Sequence, residues 1–428
     1  AGLFLVAAAA LVCMLVGYRT RMAVAVAWIL LVSLHVRTPP LLQAGDTLLR
    51  LLFFWALFLP LGARFSVDAT LDVSPRPLRE RWLSIGSAAL LLQVAMMYLA
   101  GALLKSGPEW HDEGSAVYYS LQLDYLVTDV GVWLRQFGDL QVVLTRLVWH
   151  FELLGPLLLF LPLPALPLRC LTLAGFALMH LAFLLLFHIG LFPLVNLAAL
   201  VPFLPSKLWD WLGNRRLGGR VRGWAGRSGA WLAALSSRHL RLRARPLPRF
   251  PRLASTLCLA SLLYVAIWNA STLPGAGFSM PRSVRWIGEL LQIEQTWDMF
   301  APAPSRDNGW LVMPGILDSG AEVDVYRRRL ESPPLLRPDH GDYFESHRWR
   351  KFIMTLARQS QEDYRVYYGR YLCRQWNAGA AAEQDRLGKL AIFFARERTL
   401  SDPQDETVEY VTLWEHDCHA PAATLHRP

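Results

Sequence analysis

The chain has 428 residues, of which 54% are hydrophobic and only 18% are charged, a composition too apolar for a soluble enzyme. Its formal charge of +9 comes from 43 basic and 34 acidic residues. The basic excess is concentrated between apolar segments, which argues against nucleic acid as a partner and favours a multi-pass membrane protein whose first partner is the lipid bilayer.

Eight apolar runs approach the length needed to cross hydrocarbon and predict about eight membrane segments. The second and seventh runs are short, so they are either tilted or re-entrant. The chain begins inside the first run, with no evident signal peptide, and we expect an upstream helix to be missing. In chain order the runs are residues 2–17, 22–36, 47–63, 85–104, 140–163, 168–187, 189–204 and 253–268.

The carboxy-terminal third has the composition of a soluble domain. We predict a helical bundle over residues 1–270, a Gly- and Pro-rich linker over 271–283, and a small α+β domain over 284–428. In that domain two β-like runs flank Gly320 and predict a hairpin, residues 347–377 have helical periodicity, and 390–396 and 408–415 are predicted strands. The predicted fold class is a multi-pass α-helical membrane bundle with a small C-terminal α+β domain.

The loop at residues 207–252 sets the orientation. It carries one Lys, eleven Arg and a single acidic residue, Asp210, and such basic loops remain on the cytoplasmic side. Alternation then makes the C-terminal domain extracytoplasmic, on the outer side of a plasma membrane. Cys373 and Cys418 are the two cysteines of that domain. They form a disulfide if the compartment is oxidising, and their spacing fits no metal motif.

Ionisable residues within apolar segments are costly, and they are usually paired or functional. With this topology they all fall in the outer half of the membrane, where a bundle could bring them into one cavity open to the outside. Asp46 and Arg50 are i,i+4 neighbours and form either a structural ion pair or part of a site. No metal is predicted, because no ligand motif accompanies these residues. The candidates are Arg37, Asp46, Arg50, Lys105, Arg146, His150, Glu152, His180 and His188.

Lys105 stands out among them because the chain otherwise uses arginine almost everywhere for positive charge. Only four lysines occur, at positions 105, 207, 351 and 389. Arginine is effectively always protonated, whereas a lysine beside hydrocarbon can lose its proton and act as a base. The alternative is a structural lysine whose amine reaches the membrane interface.

The sequence around Lys105 resembles the segment that carries the catalytic lysine of vitamin K-dependent gamma-glutamyl carboxylase. Tyr98, Lys105 and Trp110 have the spacing of that family. Glu152 stands where the carboxylase has an aspartate. Further matches are His180 with Phe187, Ile189, Gly190 and Phe192, then Ser66-Val67-Asp68, and Trp297-Asp298-Met299.

The wider group of bacterial relatives with the so-called horizontally transferred transmembrane domain is more similar still. Gly45-Asp46 and the runs at residues 58–63 and 295–302 are typical of that group. The resemblance implies a bacterial inner membrane as the location of this chain.

The resemblance also implies a chemistry. In the carboxylase an unprotonated lysine deprotonates a reduced quinone, vitamin K hydroquinone, and oxygen then yields a strong base. That base removes a glutamyl proton so that carbon dioxide can add, which is lyase chemistry on a peptide or protein substrate. Lys105 would be the base here and His180 its polarising partner. The substrate- or cavity-lining candidates are Asp46, Arg50, Arg146, His150, Glu152 and His188.

Two departures separate this chain from the carboxylase. The Asn-His of the carboxylase reads Ala44-Gly45 here, and residues 271–428 contain no counterpart of its long substrate-binding region. A quinol- or oxygen-linked reaction on another substrate is therefore equally compatible. The alternative from another class is a non-enzymatic membrane binding or accessory protein that works through its extracytoplasmic domain. A transporter ranks third, because the chain has no inverted repeat.

Overall fold

The computed structural model describes residues 2–64, 66–71, 83–162, 166–209, 251–333, 346–358, 362–400 and 408–420. Most of the basic loop at 207–252 therefore lies outside the described residues. The chain divides into two compact units. One, the membrane unit, comprises Ala1–Gly114, Val143–Leu184 and Gly190–Ala303. The other, the sheet unit, comprises Ser115–Val142, Leu185–Ile189 and Pro304–Pro428.

Helices dominate the chain up to residue 303. They are α1 (Gly2–Val16), α2 (Thr20–Arg37), α3 (Ala44–Ala56), α4 (Val67–Leu71), α5 (Ile85–Leu104), α6 (Pro108–His111), α7 (Ala116–Leu121), α8 (Asp129–Leu134), α9 (Gly138–Leu159), α10 (Leu166–Leu186), α11 (Phe192–Leu200), α12 (Pro251–Ser271) and α13 (Arg282–Leu291). Among the described residues five of them, α2, α5, α9, α10 and α12, are long and apolar enough to cross a membrane. The chain is thus a multi-pass membrane protein.

The predicted count of about eight segments is not confirmed, because three of the apolar runs form shorter helices. α1 has 15 residues, and α3 ends at Ala56, four residues before Pro60. α11 has nine residues and continues as a 3₁₀ turn that contains Pro202. Proline lacks the amide hydrogen that an α-helix needs and fixes the backbone, so it ends regular helix at these points.

The Ser66-Val67-Asp68 motif acts as a helix cap. The Asp68 carboxylate accepts hydrogen bonds from the Arg19 and Thr20 amides at 2.7 and 2.8 Å, and from the Thr20 hydroxyl at 2.7 Å. These groups begin α2, where backbone N–H groups lack intrahelical partners and the helix dipole favours a negative charge. The motif therefore fixes the turn between α1 and α2.

The sheet unit is built on five antiparallel strands. They are β1 (Asp307–Val312), β2 (Pro314–Leu317), β3 (Glu322–Asp324), β4 (Leu387–Arg398) and β5 (Val408–Asp417). The long strand β4 pairs with β1 and β2 on one edge and with β5 on the other, and β3 pairs with β2. The predicted hairpin is confirmed as β2–β3, with Gly320 at a φ of 85° in its turn, and β4 and β5 confirm the two predicted strands.

Two helices cover one face of this sheet. They are α14 (His347–Leu356) and α15 (Glu362–Asn377). Together they confirm the predicted helical stretch over 347–377, apart from residues 359–361, which lie outside the described residues. Their apolar side chains, among them Ile353, Leu356 and Tyr368, pack with Leu390 and Ile392 of β4 into the core. The carboxy-terminal part of the chain is therefore an α+β unit with its own hydrophobic core.

Candidate functional site

Lys105 lies at the carboxy-terminal end of α5 and is only 4% exposed. The last carbonyl groups of this helix are held by side chains. The Trp149 indole donates to the Ala102 carbonyl at 3.1 Å, and the His111 imidazole donates to the Lys105 carbonyl at 2.8 Å. Because a helix C-terminus leaves carbonyls without partners and favours a nearby cation, these contacts fix both the end of α5 and the position of its lysine.

The Lys105 amine forms an ion pair with the Glu152 carboxylate of α9. The same nitrogen lies 3.5 Å from the Gly101 carbonyl and 5.2 Å from the centroid of the Trp110 ring. Glu152 is also buried, at 8% exposure. A cation beside an aromatic face and a carboxylate, away from water, interacts more strongly than it would at a surface. The arrangement joins a proton donor to a proton acceptor inside the protein.

A segment that follows the membrane helices holds Trp110 in place. We call residues 292–302 the post-membrane segment. Its Phe300 carbonyl accepts from the Trp110 indole at 2.9 Å, and its Pro302 carbonyl accepts from the Gly107 amide at 2.9 Å. The ring that covers the Lys105 amine is therefore positioned by a part of the chain almost two hundred residues further on.

Arg50 ties the other end of this segment to α3. Its guanidinium donates to the Gln292 side chain at 3.0 Å and to the Glu294 carbonyl and carboxylate at 3.1 and 3.2 Å. Burial raises the pKa of Glu294, and the Arg50 guanidinium opposes that shift. Arg50 thus serves here as an anchor for the post-membrane segment.

A buried amide cluster completes this attachment. The Gln93 side chain of α5 donates to the Gln295 side chain at 2.7 Å and accepts from the Trp55 indole at 3.2 Å. The Trp297 indole donates to Gln295 at 2.8 Å. These bonds explain why glutamine and tryptophan occur two positions apart after the last membrane segment, since each satisfies a polar group that would otherwise be buried without a partner.

His180 lies in a second polar contact of α5. Its Nε2 is 2.6 Å from the Tyr98 hydroxyl, which donates to the Asn196 side-chain oxygen at 3.2 Å. His180 and Asn196 are fully buried. The Tyr98 hydroxyl can donate to Nε2 or accept from it, so the position of the ring proton of His180 depends on the tautomer. Among the described residues Nδ1 has no hydrogen-bond partner.

Tyr98 and Lys105 are seven positions apart on α5 and share one face of it, about 10 Å apart along the axis. Glu152 and His180 therefore meet the same helix face at two levels. The structure places His180 against Tyr98, while the lysine is paired with Glu152.

The other predicted site residues are distributed more widely. Asp46 accepts from the Gln43 amide at 2.9 Å and caps α3. Arg37, Arg146 and His150 are exposed, and the His150 ring bonds to the Arg146 carbonyl at 2.8 Å. Lys105 and Glu152 are the two members of the predicted set whose side chains form an ion pair with each other. Across the described ranges no three His, Cys, Asp or Glu side chains are grouped so that they could hold a metal ion.

His188 belongs to the sheet unit. Its carbonyl accepts from the Arg350 guanidinium, which also donates to Nδ1 of the His347 ring. Burial, together with Arg350, lowers the pKa of His188. In the same unit Cys373 and Cys418 are joined by a disulfide with a Cα–Cα distance of 5.6 Å, within the usual range.

Several residues of the site were not predicted from the sequence. Tyr98 was identified only through its spacing to Lys105 in the family resemblance, and Asn196 could have been found from its position as a polar residue in an apolar run. Trp149 and His111 gave no such signal, because their contacts with α5 depend on how the helices pack.

Comparison with known proteins bears on the membrane unit. Residues 1–211 match the family model of the HTTM domain, and this match includes Lys105, Glu152 and His180. No curated protein and no solved structure matches the chain. Residues 1–211 are therefore similar to the horizontally transferred transmembrane domain, a family related to the vitamin K-dependent carboxylase, and this similarity agrees with the membrane helices of the chain.

Proposed function

We propose that this protein is a membrane enzyme in which Lys105 acts as a base in a quinol- and oxygen-linked reaction of the carboxylase type. The observation that supports this most strongly is the buried Lys105–Glu152 pair. The Glu152 carboxylate can accept a proton from the Lys105 amine directly. An arginine at this position would keep its proton and could not act as a base.

The first step takes place within the pair. The proton on Nζ of Lys105 moves to the Glu152 carboxylate, so that an N–H bond breaks, an O–H bond forms and both charges disappear. The lone pair now on Nζ then takes the proton of an acidic hydroxyl, whose electrons remain on the substrate oxygen.

A reduced quinone fits the polar groups that remain. His180 Nδ1 is a buried ring nitrogen that has no hydrogen-bond partner among the described residues, and a hydroquinone hydroxyl can donate to such a nitrogen or accept from it. Lys105 and His180 are the residues that would hold it. When bound, the reduced quinone supplies the electrons for the reaction with oxygen. Its lipid solubility suits a site between apolar helices.

Gly45, which corresponds to the histidine of the carboxylase, has no space for a side chain here. A Cβ atom at Gly45 would lie 2.8 Å from the Phe192 Cα atom, because α11 packs directly on the start of α3. A histidine at this position would require the two helices to move apart. Carbon dioxide addition to a glutamyl side chain is thus one candidate for the second half of the reaction, and another acidic C–H substrate is equally compatible with the base chemistry.

We also propose that the sheet unit lies outside the cytoplasm. The disulfide supports this orientation, because such bonds persist in oxidising compartments. The excess of arginine in the loop at 207–252 supports it independently.

Oxygen uptake by the purified full chain in lipid nanodiscs tests the enzymatic role. We expect uptake when chemically reduced vitamin K is added, and a loss of at least about 100-fold in the double variant Lys105→Met with Glu152→Met, the scale of general-base catalysis. The control is Lys389→Met, an exposed lysine of β4. Equal uptake in the double variant, or none in the unaltered protein, would overturn the proposal.

The competing function is a non-enzymatic accessory protein, and one observation favours it. The Lys105–Glu152 ion pair satisfies both groups, as a purely structural pair would. This function requires Lys105→Arg to be harmless and deletion of residues 304–428 to abolish the biological activity.

A further inference from the structure

The short helix α13 packs beside the last two turns of the membrane helix α12. The Tyr264 hydroxyl donates to the Val284 carbonyl at 3.1 Å and accepts from the Gly288 amide at 3.0 Å. The Arg285 guanidinium lies 5.9 Å from the centroid of the Trp268 ring. Tyr264 is seven residues before the end of α12, about 10 Å inside the span. These contacts place α13 at membrane depth rather than above it.

The face of α13 that points away from α12 is apolar. A Cβ atom at Gly288 would touch the Tyr264 hydroxyl at 2.7 Å, so this residue marks the face against α12. At 100° per residue Trp286 and Leu290 lie about 160° from Gly288 on either side, on the opposite face. Their exposed fractions are 57% and 67%. At the same level α12 itself exposes Ile267 to the surroundings of the span.

The charges of α13 lie on one flank of the helix. Measured around the helix axis from Gly288, Arg285 lies at about 60°, Glu289 at about 100° and Arg282 at about 120°, all in the same direction of rotation. All three are exposed. A helix with tryptophan and leucine on one face and arginine on its flank has the pattern of a helix that lies in the plane of a membrane interface. Tryptophan is enriched at that level, and arginine pairs with lipid phosphate.

We infer that α13 is an interfacial helix whose Trp286 and Leu290 side chains insert at the boundary between acyl chains and headgroups, with Arg282 beside anionic lipid phosphates. The partner of this surface is the same bilayer that α12 crosses. The contact gives the post-membrane segment, which starts at the end of α13, a fixed depth in the membrane.

Spin-label accessibility in the full chain tests this placement. The three free cysteines are first replaced, as Cys13→Ser, Cys170→Ser and Cys258→Ala, and the disulfide is kept. Single labels are then attached through Leu290→Cys and Glu289→Cys, adjacent residues whose exposed side chains make the label tolerable. Leu263→Cys on α12 provides the lipid reference and Glu383→Cys in the sheet unit the aqueous reference. All variants are studied in nanodiscs that contain phosphatidylcholine and phosphatidylglycerol.

The measured quantity is the ratio of collisions with oxygen, which partitions into lipid, to collisions with a water-soluble nickel complex. We expect the label at Leu290 to give the same ratio as the lipid reference at Leu263. At Glu289 we expect the logarithm of the ratio to shift towards the value of the aqueous reference at Glu383. An aqueous ratio at Leu290 would overturn the inference. So would protection of the Leu290 label from both reagents, since it would mean that protein and not lipid covers this face. Trp286→Cys repeats the test on the same face.

Discussion

Two buried cations, one in each unit, are satisfied in different ways. Lys105 of the membrane unit is 4% exposed and pairs with the Glu152 carboxylate. Arg365 of the sheet unit is 7% exposed. Its guanidinium donates to the Leu356, Leu413 and Arg358 carbonyls at 2.9, 3.2 and 3.2 Å.

The difference shows that the partner of a buried charge says more about its role than burial does. A guanidinium stays protonated and carries five donors in a fixed fork, so Arg365 joins the end of α14 to β5 as a structural clamp. A backbone carbonyl cannot take its proton. Lys105 has a single nitrogen and faces a carboxylate instead of carbonyls, which is the contact that the proposed base chemistry requires.

The largest effect is expected when the charged pair of the membrane unit is broken. Lys105→Met leaves the Glu152 carboxylate buried without its partner, which should lower the free energy of unfolding by about 3–5 kcal/mol. Adding Glu152→Met should restore most of that loss, because an apolar pair of similar size replaces the ion pair. Thermal unfolding in nanodiscs measures both variants. A single variant as stable as the double would show that the two side chains are not coupled.

In the sheet unit the matching change is Arg365→Lys, which keeps the charge but not the fork. A lysine cannot reach all three carbonyls, and we expect a loss of about 2–3 kcal/mol from hydrogen bonds to a charged donor. Chemical denaturation followed through the tryptophans of this unit provides the measurement. Unchanged stability would mean that a positive charge at this position is sufficient and that the three hydrogen bonds of the guanidinium are not required.

A smaller effect is expected at the neutral contact of α5, two turns from Lys105. Tyr98→Phe removes the hydroxyl that joins His180 to Asn196 and leaves two buried polar groups unpaired, at a cost of about 1–3 kcal/mol. Because no charge is involved, Tyr98→Phe should cost the same free energy of unfolding in the unaltered protein and in the double variant Lys105→Met with Glu152→Met. A different cost in the two backgrounds would contradict the separation of the Tyr98–His180 contact from the Lys105–Glu152 pair.

The smallest effect concerns pH and the sheet unit. Burial, together with Arg370, lowers the pKa of His416 below 6.5, and the Trp414 indole donates to its Nδ1 at 3.4 Å. The unfolded chain therefore takes up this proton at a higher pH than the folded one, so stability is present above about pH 6.5 and falls as the pH drops further. His188 acts in the same direction. In His416→Gln we expect a shallower fall of the unfolding temperature between pH 7 and 5; an identical fall would exclude His416 as a contributor.

Much of the fold follows from local pattern. Apolar length predicts the five long helices, and alternation with a glycine turn predicts the β2–β3 hairpin. The helices α3 and α11 are shorter than their apolar runs because Pro60 and Pro202 interrupt them, a signal that was present in the sequence.

The site is predicted in part only. Lysine in an arginine-rich chain identifies Lys105, but its pairing with Glu152 depends on how α9 packs against α5, which periodicity does not contain. The same limit applies to Arg50, whose hydrogen bonds to Gln292 and Glu294 join parts of the chain that are more than 240 residues apart.

The most direct test of the central claim is Lys105→Arg in the full chain, because it keeps the positive charge beside Glu152 and removes the ability to release a proton. Unfolding temperature and reduced-quinone-dependent oxygen uptake are measured on the same nanodisc preparation, with Lys351→Arg as the control. We predict a folded protein whose uptake falls by at least about 100-fold, the scale of general-base catalysis. Full uptake in the Lys105→Arg protein would contradict a role for this residue as a base.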